Sequence, residues 1–359
     1  MVLSFISTVS NVWGKAWPIM FAIVFFGIII MVHELGHFLF AKLFKVRVNK
    51  FALGMGPALV KKTKGETEYS LRALPIGGYC AMEGEDEDSE DERSFGSKPV
   101  WQRFIIVAAG AVVNLILGLI IVMVMLGQQD LIGTSYIRDF HENSATQAAG
   151  LTEGDKIVSI NGKRVYSQFD IGFLMMRDKD GVMDFGLKRD GEKIELKNVA
   201  LETVEKDGKN VIIYDFNIKG VKPSIGSVLK YSFMETVSMG RMVWISLFDL
   251  VTGQFGFTDI SGPIGVVGFI AQAAEQTKKT DLTPILNLMA LISINIGIFN
   301  LLPVPALDGG RLFFMLIEMI FRKPVPRKYE GWIHATGLVL LLAFMAVISL
   351  KDIFFMFRR

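Results

Sequence analysis

The residues best suited to chemistry are five in a row, His33-Glu34-Leu35-Gly36-His37, an H-E-x-x-H pattern. With four histidines and 18 glutamates among 359 residues, random placement gives on the order of 0.002 such matches, so chance explains it poorly. On a helix, residues four apart share a face and lie about 6 Å apart along the axis. Both imidazoles can therefore reach one Zn2+ at about 2.0–2.1 Å. Glu34 stands beside that face, where a carboxylate can take a proton from a water that the metal activates without being a ligand itself. The chemistry implied is metal-assisted hydrolysis with Glu34 as general base. A catalytic zinc takes three protein ligands and keeps one position open, so a third ligand is required. His141 and His334 qualify by type, but His141 falls in a stretch that reads as a soluble unit and His334 has no motif around it. Asp308 is the stronger candidate, in Asn300-Leu301-Leu302-Pro303-Val304-Pro305-Ala306-Leu307-Asp308-Gly309-Gly310. Pro303 and Pro305 interrupt a helix there, and Gly309 and Gly310 allow a sharp turn that presents a carboxylate. Read locally, Asp308 could instead cap a helix beginning near Arg311.

The elements that must position these residues are membrane helices. The chain carries 38 Lys plus Arg against 36 Asp plus Glu, a net charge of +2, with 51% hydrophobic and 21% charged residues and a mean hydropathy of +0.41. The near-neutral balance excludes a nucleic-acid binder, and so positive a hydropathy over this length means more apolar segments than one buried core can use. One cysteine, Cys80, excludes an internal disulfide and a Cys-based zinc knuckle. Spanning a bilayer takes about 20 mostly apolar helical residues, and four stretches qualify, residues 17–41, 104–127, 282–307 and 331–350. The first contains His33, Glu34 and His37, which therefore sit at membrane depth. The polar triplet and the lack of a small-residue cleavage site argue against a cleavable signal peptide. Polar groups satisfied inside a helix bundle are the alternative to a metal site. That reading is disfavoured, because an uncompensated charge in hydrocarbon costs several kcal/mol and intramembrane ionisable residues are by default functional. Lys42, Lys45, Arg47 and Lys50 follow the first span while only Lys15 precedes it, so the amino terminus is expected outside and the loop carrying Arg311, Arg322, Lys323, Arg327 and Lys328 inside.

Between the spans the patterns change. Residues 46–73 read as a small cytoplasmic-side β-sheet with a turn at Lys64-Gly65. Gly54, Gly56, Pro57, Pro75, Gly77 and Gly78 bracket it and suit either a loop dipping into the membrane or a plain hairpin. Glu83 to Glu92 is an acidic run, read as a solvated loop. Residues 128–222 form an extracytoplasmic α+β unit with hairpin signals at Asn161-Gly162 and Asp190-Gly191 and a short helix at 144–151 that a glycine stops. This unit resembles a PDZ domain, a fold that binds extended peptide at a sheet edge, although it could also be a spacer that blocks access. Residues 223–281 are expected as interfacial amphipathic helices, with 260–274 lying at the interface or re-entering it. The expected fold is thus a multi-pass α-helical membrane protein with four transmembrane helices. Its parts are 1–127 with the first two spans and the sheet, the PDZ-like unit, the interfacial segment, and 282–359 with spans three and four.

These motifs together resemble the site-2 protease family of intramembrane zinc metalloproteases. His33 to His37 match its first motif and Asn300 to Gly310 its N-x-x-P-x-P-x-L-D-G motif. Gly54-Met55-Gly56-Pro57, Pro75-Ile76-Gly77-Gly78-Tyr79 and Ala109-Gly110-Ala111-Val112-Val113-Asn114 match as well. The resemblance implies one zinc per chain held by His33, His37 and Asp308, with Glu34 activating the water, Asn300 contacting the substrate backbone, and the sheet at 46–73 receiving the substrate as an added strand. It also implies a bacterial cytoplasmic membrane location and single-span membrane proteins as substrates, such as anti-sigma factors, remnant signal peptides or pheromone precursors, cut first by an extracytoplasmic protease. Two other classes are a membrane PDZ scaffold whose zinc is merely structural, and a metal transporter with a transit site at His33, His37 and Asp308. A transporter usually shows repeated halves with polar residues in several spans, which this chain lacks.

Overall fold

The structure, a computed structural model, describes residues 2–85, 87–178, 180–206, 209–253, 260–276 and 282–358. In chain order the elements are α1 (Val2–Leu43), β1 (Val48–Lys64), β2 (Thr67–Met82), α2 (Val100–Gly127), β3 (Ile132–Phe140), α3 (Ala145–Ala148), β4 (Lys156–Ile160), β5 (Lys163–Arg164) and α4 (Gln168–Met176). They continue with β6 (Val182–Arg189), β7 (Glu192–Ala200), β8 (Thr203–Lys206), β9 (Lys209–Ile212), β10 (Phe216–Val221), α5 (Ile225–Val251), α6 (Pro263–Gln276), α7 (Thr283–Phe299), α8 (Asp308–Phe321) and α9 (Arg327–Arg358). The chain divides into two compact units, one of Met1–Gly118 with Gly253–Arg359 and one of Leu119–Thr252.

Among the described residues, three helices are long and apolar enough to cross a membrane, Met20–Leu43, Val100–Gly127 and Arg327–Phe355. The stretch expected as one span over 282–307 is instead α7 followed by an irregular turn. At 17 residues, α7 reaches only about 25 Å. Asn300 caps its end, and Pro303 and Pro305 prevent its continuation. Where α1 meets α6 and α7, Ala22, Phe25, Ile29, Ile270 and Ile292 are buried together. A second core joins the end of α1 to the sheet, α2 and α8 through Ala41, Val46, Val48, Ile106, Val107 and Leu312.

The β1–β2 hairpin turns at Gly65, as its Lys-Gly signal predicts. Both strands are bent, however, so that Phe51 pairs with Cys80 on one side and Tyr69 on the other, while Lys62 also pairs with Tyr69. Four rows result, in the order 58–64, 67–72, 50–53, 78–82. Gly54 and Gly77, at φ 87° and 77°, take the left-handed conformation that these bends need. Gly78 and Tyr79, which the sequence places in a bracketing loop, pair with Leu53 and Ala52 and begin the outer row.

The second unit is a mixed α+β fold. Its antiparallel sheet runs β10-β3-β4-β6-β7, with β5 paired to β4, and β8 and β9 form a separate pair. Both expected hairpins are present. Asn161 and Gly162 turn β4 into β5 at φ 47° and 71°, and Asp190 and Gly191 turn β6 into β7 at 49° and 94°, as a two-residue turn of this hand requires. Ser144 caps the short α3. Ile137, Ile157, Ile160, Met183, Phe185 and Leu187 form its core. Helix α5 packs on α4 through polar groups. Ser238 donates to Asp170 at 2.6 Å, Arg241 reaches the same carboxylate at 3.4 Å, and Arg177 pairs with Asp249. Of the segment expected to be interfacial, 254–259 and 277–281 lie outside the described residues.

Candidate metal centre

The helical period that places His33 and His37 on one face of α1 is the first requirement, and a close helix crossing is the second. A Cβ on Gly36 would stand 2.6 Å from the Ala109 carbonyl oxygen, and one on Gly110 would overlap His37 Nε2 and lie 2.9 Å from His33 Cε1. Glycine at both positions lets α2 run against α1 without displacing the imidazoles. His37 Nδ1 lies 2.9 Å from the Ile106 carbonyl oxygen of α2. A carbonyl only accepts, so Nδ1 carries the proton and Nε2 presents its lone pair.

Asp308 arrives from far along the chain. After α7 the backbone passes through Ala306 at φ 74°, a conformation costing about 1–2 kcal/mol for a residue with a Cβ. The Ala306 N–H donates to His334 Nδ1 on α9 at 3.0 Å, so His334 anchors this turn. Gly309 and Gly310 are not the turn itself. They lie in the first turn of α8, where a Cβ would overlap the Leu302 carbonyl or come 2.7 Å from that of Val304. Asp308 is the first residue of α8, and Leu307 occupies the cap position.

Three atoms then converge. Asp308 Oδ2 is 3.0 Å from His33 Nε2 and 3.2 Å from His37 Nε2, and the two Nε2 atoms are 3.2 Å apart. Ligands held at about 2.0–2.1 Å around a tetrahedral zinc are separated by about 3.3 Å, so this triangle matches one face of such a tetrahedron. Asp308 Oδ2 is buried with no hydrogen-bond donor aimed at it. A cluster of lone pairs without donors fits a cation, and among the described residues it is the one group of three with metal-ligand spacing.

A cavity of about 550 Å3 opens beside it, lined by Glu34, His37, Asp308 and the outer sheet row from Gly78 to Met82. The Cys80 backbone amide lies near the Glu34 carboxylate, and a Cβ on Gly78 would come 3.1 Å from Glu34 Cγ. The sheet edge thus lies directly against the Glu34 side chain. Burial, with the Glu34 and Glu85 carboxyls nearby, holds the Cys80 thiol well above its ordinary range, so it stays neutral. Of the other expected residues, Asn300 donates to the Ile296 carbonyl at 3.0 Å and is not among the residues lining the cavity. His141 is exposed in the second unit. Sequence reasoning missed Gly36, Gly110 and the row at 78–82. Small residues inside apolar helices, which mark close crossings, were the available signal for the two helical glycines.

The family model described as Peptidase family M50 matches residues 21–344. A protein of Clostridium acetobutylicum whose name marks it as a candidate zinc metalloprotease is 38% identical over 336 residues, covering 93% of this chain and 97% of the relative. The regulator of sigma-W protease RasP of Bacillus subtilis is 31% identical over 414 residues, covering 92% of this chain and 97% of RasP. A Synechocystis relative, also named as a candidate zinc metalloprotease, is 32% identical over 347 residues, with 90% and 91% covered.

Proposed function

Since this chain belongs to peptidase family M50, the site-2 protease family of intramembrane zinc metalloproteases, we propose that His33, His37 and Asp308 hold one zinc per chain and that Glu34 is its general base. The observation that carries this reading is the triangle of ligand atoms with sides of 3.0 to 3.2 Å around a buried oxygen that lacks a donor. Zinc supplies Lewis acidity there when bound, drawing charge from water and from the scissile carbonyl. Glu34 takes the water's proton and delivers it to the leaving amide nitrogen. The Cys80 backbone amide stands beside the Glu34 carboxylate while it does so. Ile106 keeps the proton of His37 on Nδ1, away from the metal side.

A membrane-spanning substrate hides its carbonyls in i to i−4 hydrogen bonds, so it must unwind before one can be attacked. The row at 78–82 is the better receiver for an unwound segment than the expected 46–73, because its outer edge lines the cavity beside Glu34 and His37. Pairing along an edge binds backbone rather than side chains, which suits substrates of varied sequence. Substrates are single-span membrane proteins. RasP is named as a regulator of sigma-W protease, and that likeness favours membrane-bound anti-sigma factors, cut first by an extracytoplasmic protease, ahead of remnant signal peptides. Asn300 contacts the substrate backbone only if its amide leaves the Ile296 carbonyl.

The charges flanking α1 support an outside amino terminus in a bacterial cytoplasmic membrane. With α7 and the turn at 300–307 together counted as a crossing, four crossings put the PDZ-like unit outside and the turn carrying Asp308 near the cytoplasmic boundary. The parts are then 1–127, 128–222, 223–281 and 282–359. Within the third part, α5 exposes Leu229, Phe233, Val237, Trp244 and Phe248 along one face, as a helix lying in the interface does. Zinc analysis and digestion of single-span substrates by the purified chain and its Glu34→Gln variant test the proposal. The variant keeps one zinc and loses cleavage; cleavage at the parent rate excludes Glu34 as the base.

A further inference from the structure

We propose that Asn114 is a positioning residue for the metal centre, its side-chain oxygen accepting the Nδ1 proton of His33 and so fixing which nitrogen of that ring faces the metal. This inference rests on the reading of His33 as a ligand. Metal-ligating histidines almost always donate their second ring N–H to an acceptor that sets tautomer and ring plane. His37 has that acceptor in the Ile106 carbonyl. At His33 the corresponding group is the amide of Asn114 on α2, 3.4 Å from Nδ1.

Asn114 is fully buried. With its nitrogen toward the ring, its Oδ1 is left without any partner. In that orientation the amide N–H donates to a lone pair on Nδ1, which puts the ring proton on Nε2 toward Asp308 and His37, and a buried carbonyl oxygen goes unsatisfied, at a cost of about 1–3 kcal/mol. The two ends of a carboxamide are exchanged by a half-turn about its last bond, and the hydrogen-bond network decides between them. Turned this way, Oδ1 accepts from Nδ1–H of His33, and Nε2 keeps a lone pair toward Asp308 and His37. The backbone position does not depend on this amide, because the Asn114 carbonyl accepts from Ser293 Oγ on α7 at 2.8 Å. Side-chain variants therefore leave that helix contact in place.

The test compares Asn114→Leu, which keeps the volume but has no acceptor, with Asn114→Asp, which keeps the acceptor. Zinc affinity is measured by competition with a chelator on the full chain in detergent, and the visible spectrum of the Co2+-loaded chain reports ligand geometry. Loss of such a partner typically weakens metal affinity about 10- to 100-fold. The Leu variant is expected to show that loss together with an altered cobalt spectrum, and the Asp variant to hold zinc at least as tightly as the parent. Parent-like affinity and spectrum in the Leu variant, or equal losses in both variants, overturn the role of Asn114 while leaving the zinc site intact. A parent chain that takes up no zinc overturns both.

Discussion

Aspartates with a buried carboxylate oxygen occur in both units of this protein, and their surroundings differ in one respect that separates structure from chemistry. In the second unit, Asp155 is fully buried and accepts from Arg189 Nε and Nη2, each at 2.8 Å, and from the Thr152 N–H at 2.9 Å. Asp170 likewise accepts from Ser238 and from the N–H groups of Tyr166 and Ser167. Both of these carboxylates are met by hydrogens. In the first unit Asp308 is met by two ring nitrogens, and its Oδ2 has no donor. A buried carboxylate surrounded by donors holds a fold together, whereas one surrounded by lone pairs needs a cation. Burial alone does not distinguish the two, but the hydrogen inventory does.

The sharpest way to break this contrast is to remove one aspartate from each unit. Asp308→Ala abolishes both zinc retention and cleavage, and chelation of the parent abolishes cleavage until zinc is returned; metal analysis alongside a cleavage assay reads both. Next in size is Gly110→Ala, whose new methyl occupies the space of His37 Nε2. A ligand displaced by about 1 Å costs about 100-fold in turnover, and the rate measured on zinc-loaded protein checks it. Asp155→Ala leaves zinc content and turnover per folded molecule unchanged and destabilises the second unit by about 2–3 kcal/mol, because Arg189 loses its partner yet keeps partial access to water. Faster hydrogen exchange in β4 and β6 measures that loss.

The smallest effect concerns Glu235 on α5. Burial, with the Asp170 carboxylate nearby, pushes its carboxyl up to about 7. The neutral form therefore suits the fold. Its contribution is complete below the ordinary value of 4.5 and is lost as pH rises through about 7. Amide exchange along α5, corrected for its intrinsic pH dependence, accelerates across that window, and Glu235→Gln removes the acceleration.

Much of the centre was legible in the sequence because it depends on local rules. Four-residue spacing on a helix puts His33 and His37 on one face, and the prolines before Asp308 mark a chain break at the end of an apolar helix. What could not be read was contact between distant segments. Gly36 and Gly110 lie 74 positions apart, and only the crossing of α1 and α2 reveals that both must lack a Cβ. The turn before Asp308 was credited to Gly309 and Gly310, whereas Ala306 takes the left-handed conformation and His334 secures it. Residues 75–79 read as loop because prolines and glycines interrupt the alternation, yet Gly78 and Tyr79 pair in the outer row of the sheet. In the second unit, Asn-Gly and Asp-Gly signalled both hairpins, since few other pairs tolerate that turn. The attachment of α5 to that unit depends on side chains from α4 some 70 residues earlier and carries no local signal.

X-ray absorption at the zinc edge tests the central claim most directly, because it reads the atoms around the metal without requiring a substrate. Cys80 lines the same cavity and is the one cysteine in the chain, so sulfur in the coordination shell would identify it. The account predicts one zinc surrounded only by nitrogen and oxygen at about 2.0–2.1 Å, with the multiple-scattering signature of two imidazoles that falls to one in His33→Ala. A shell containing sulfur at about 2.3 Å, or one that is unchanged when His33 is removed, would contradict it.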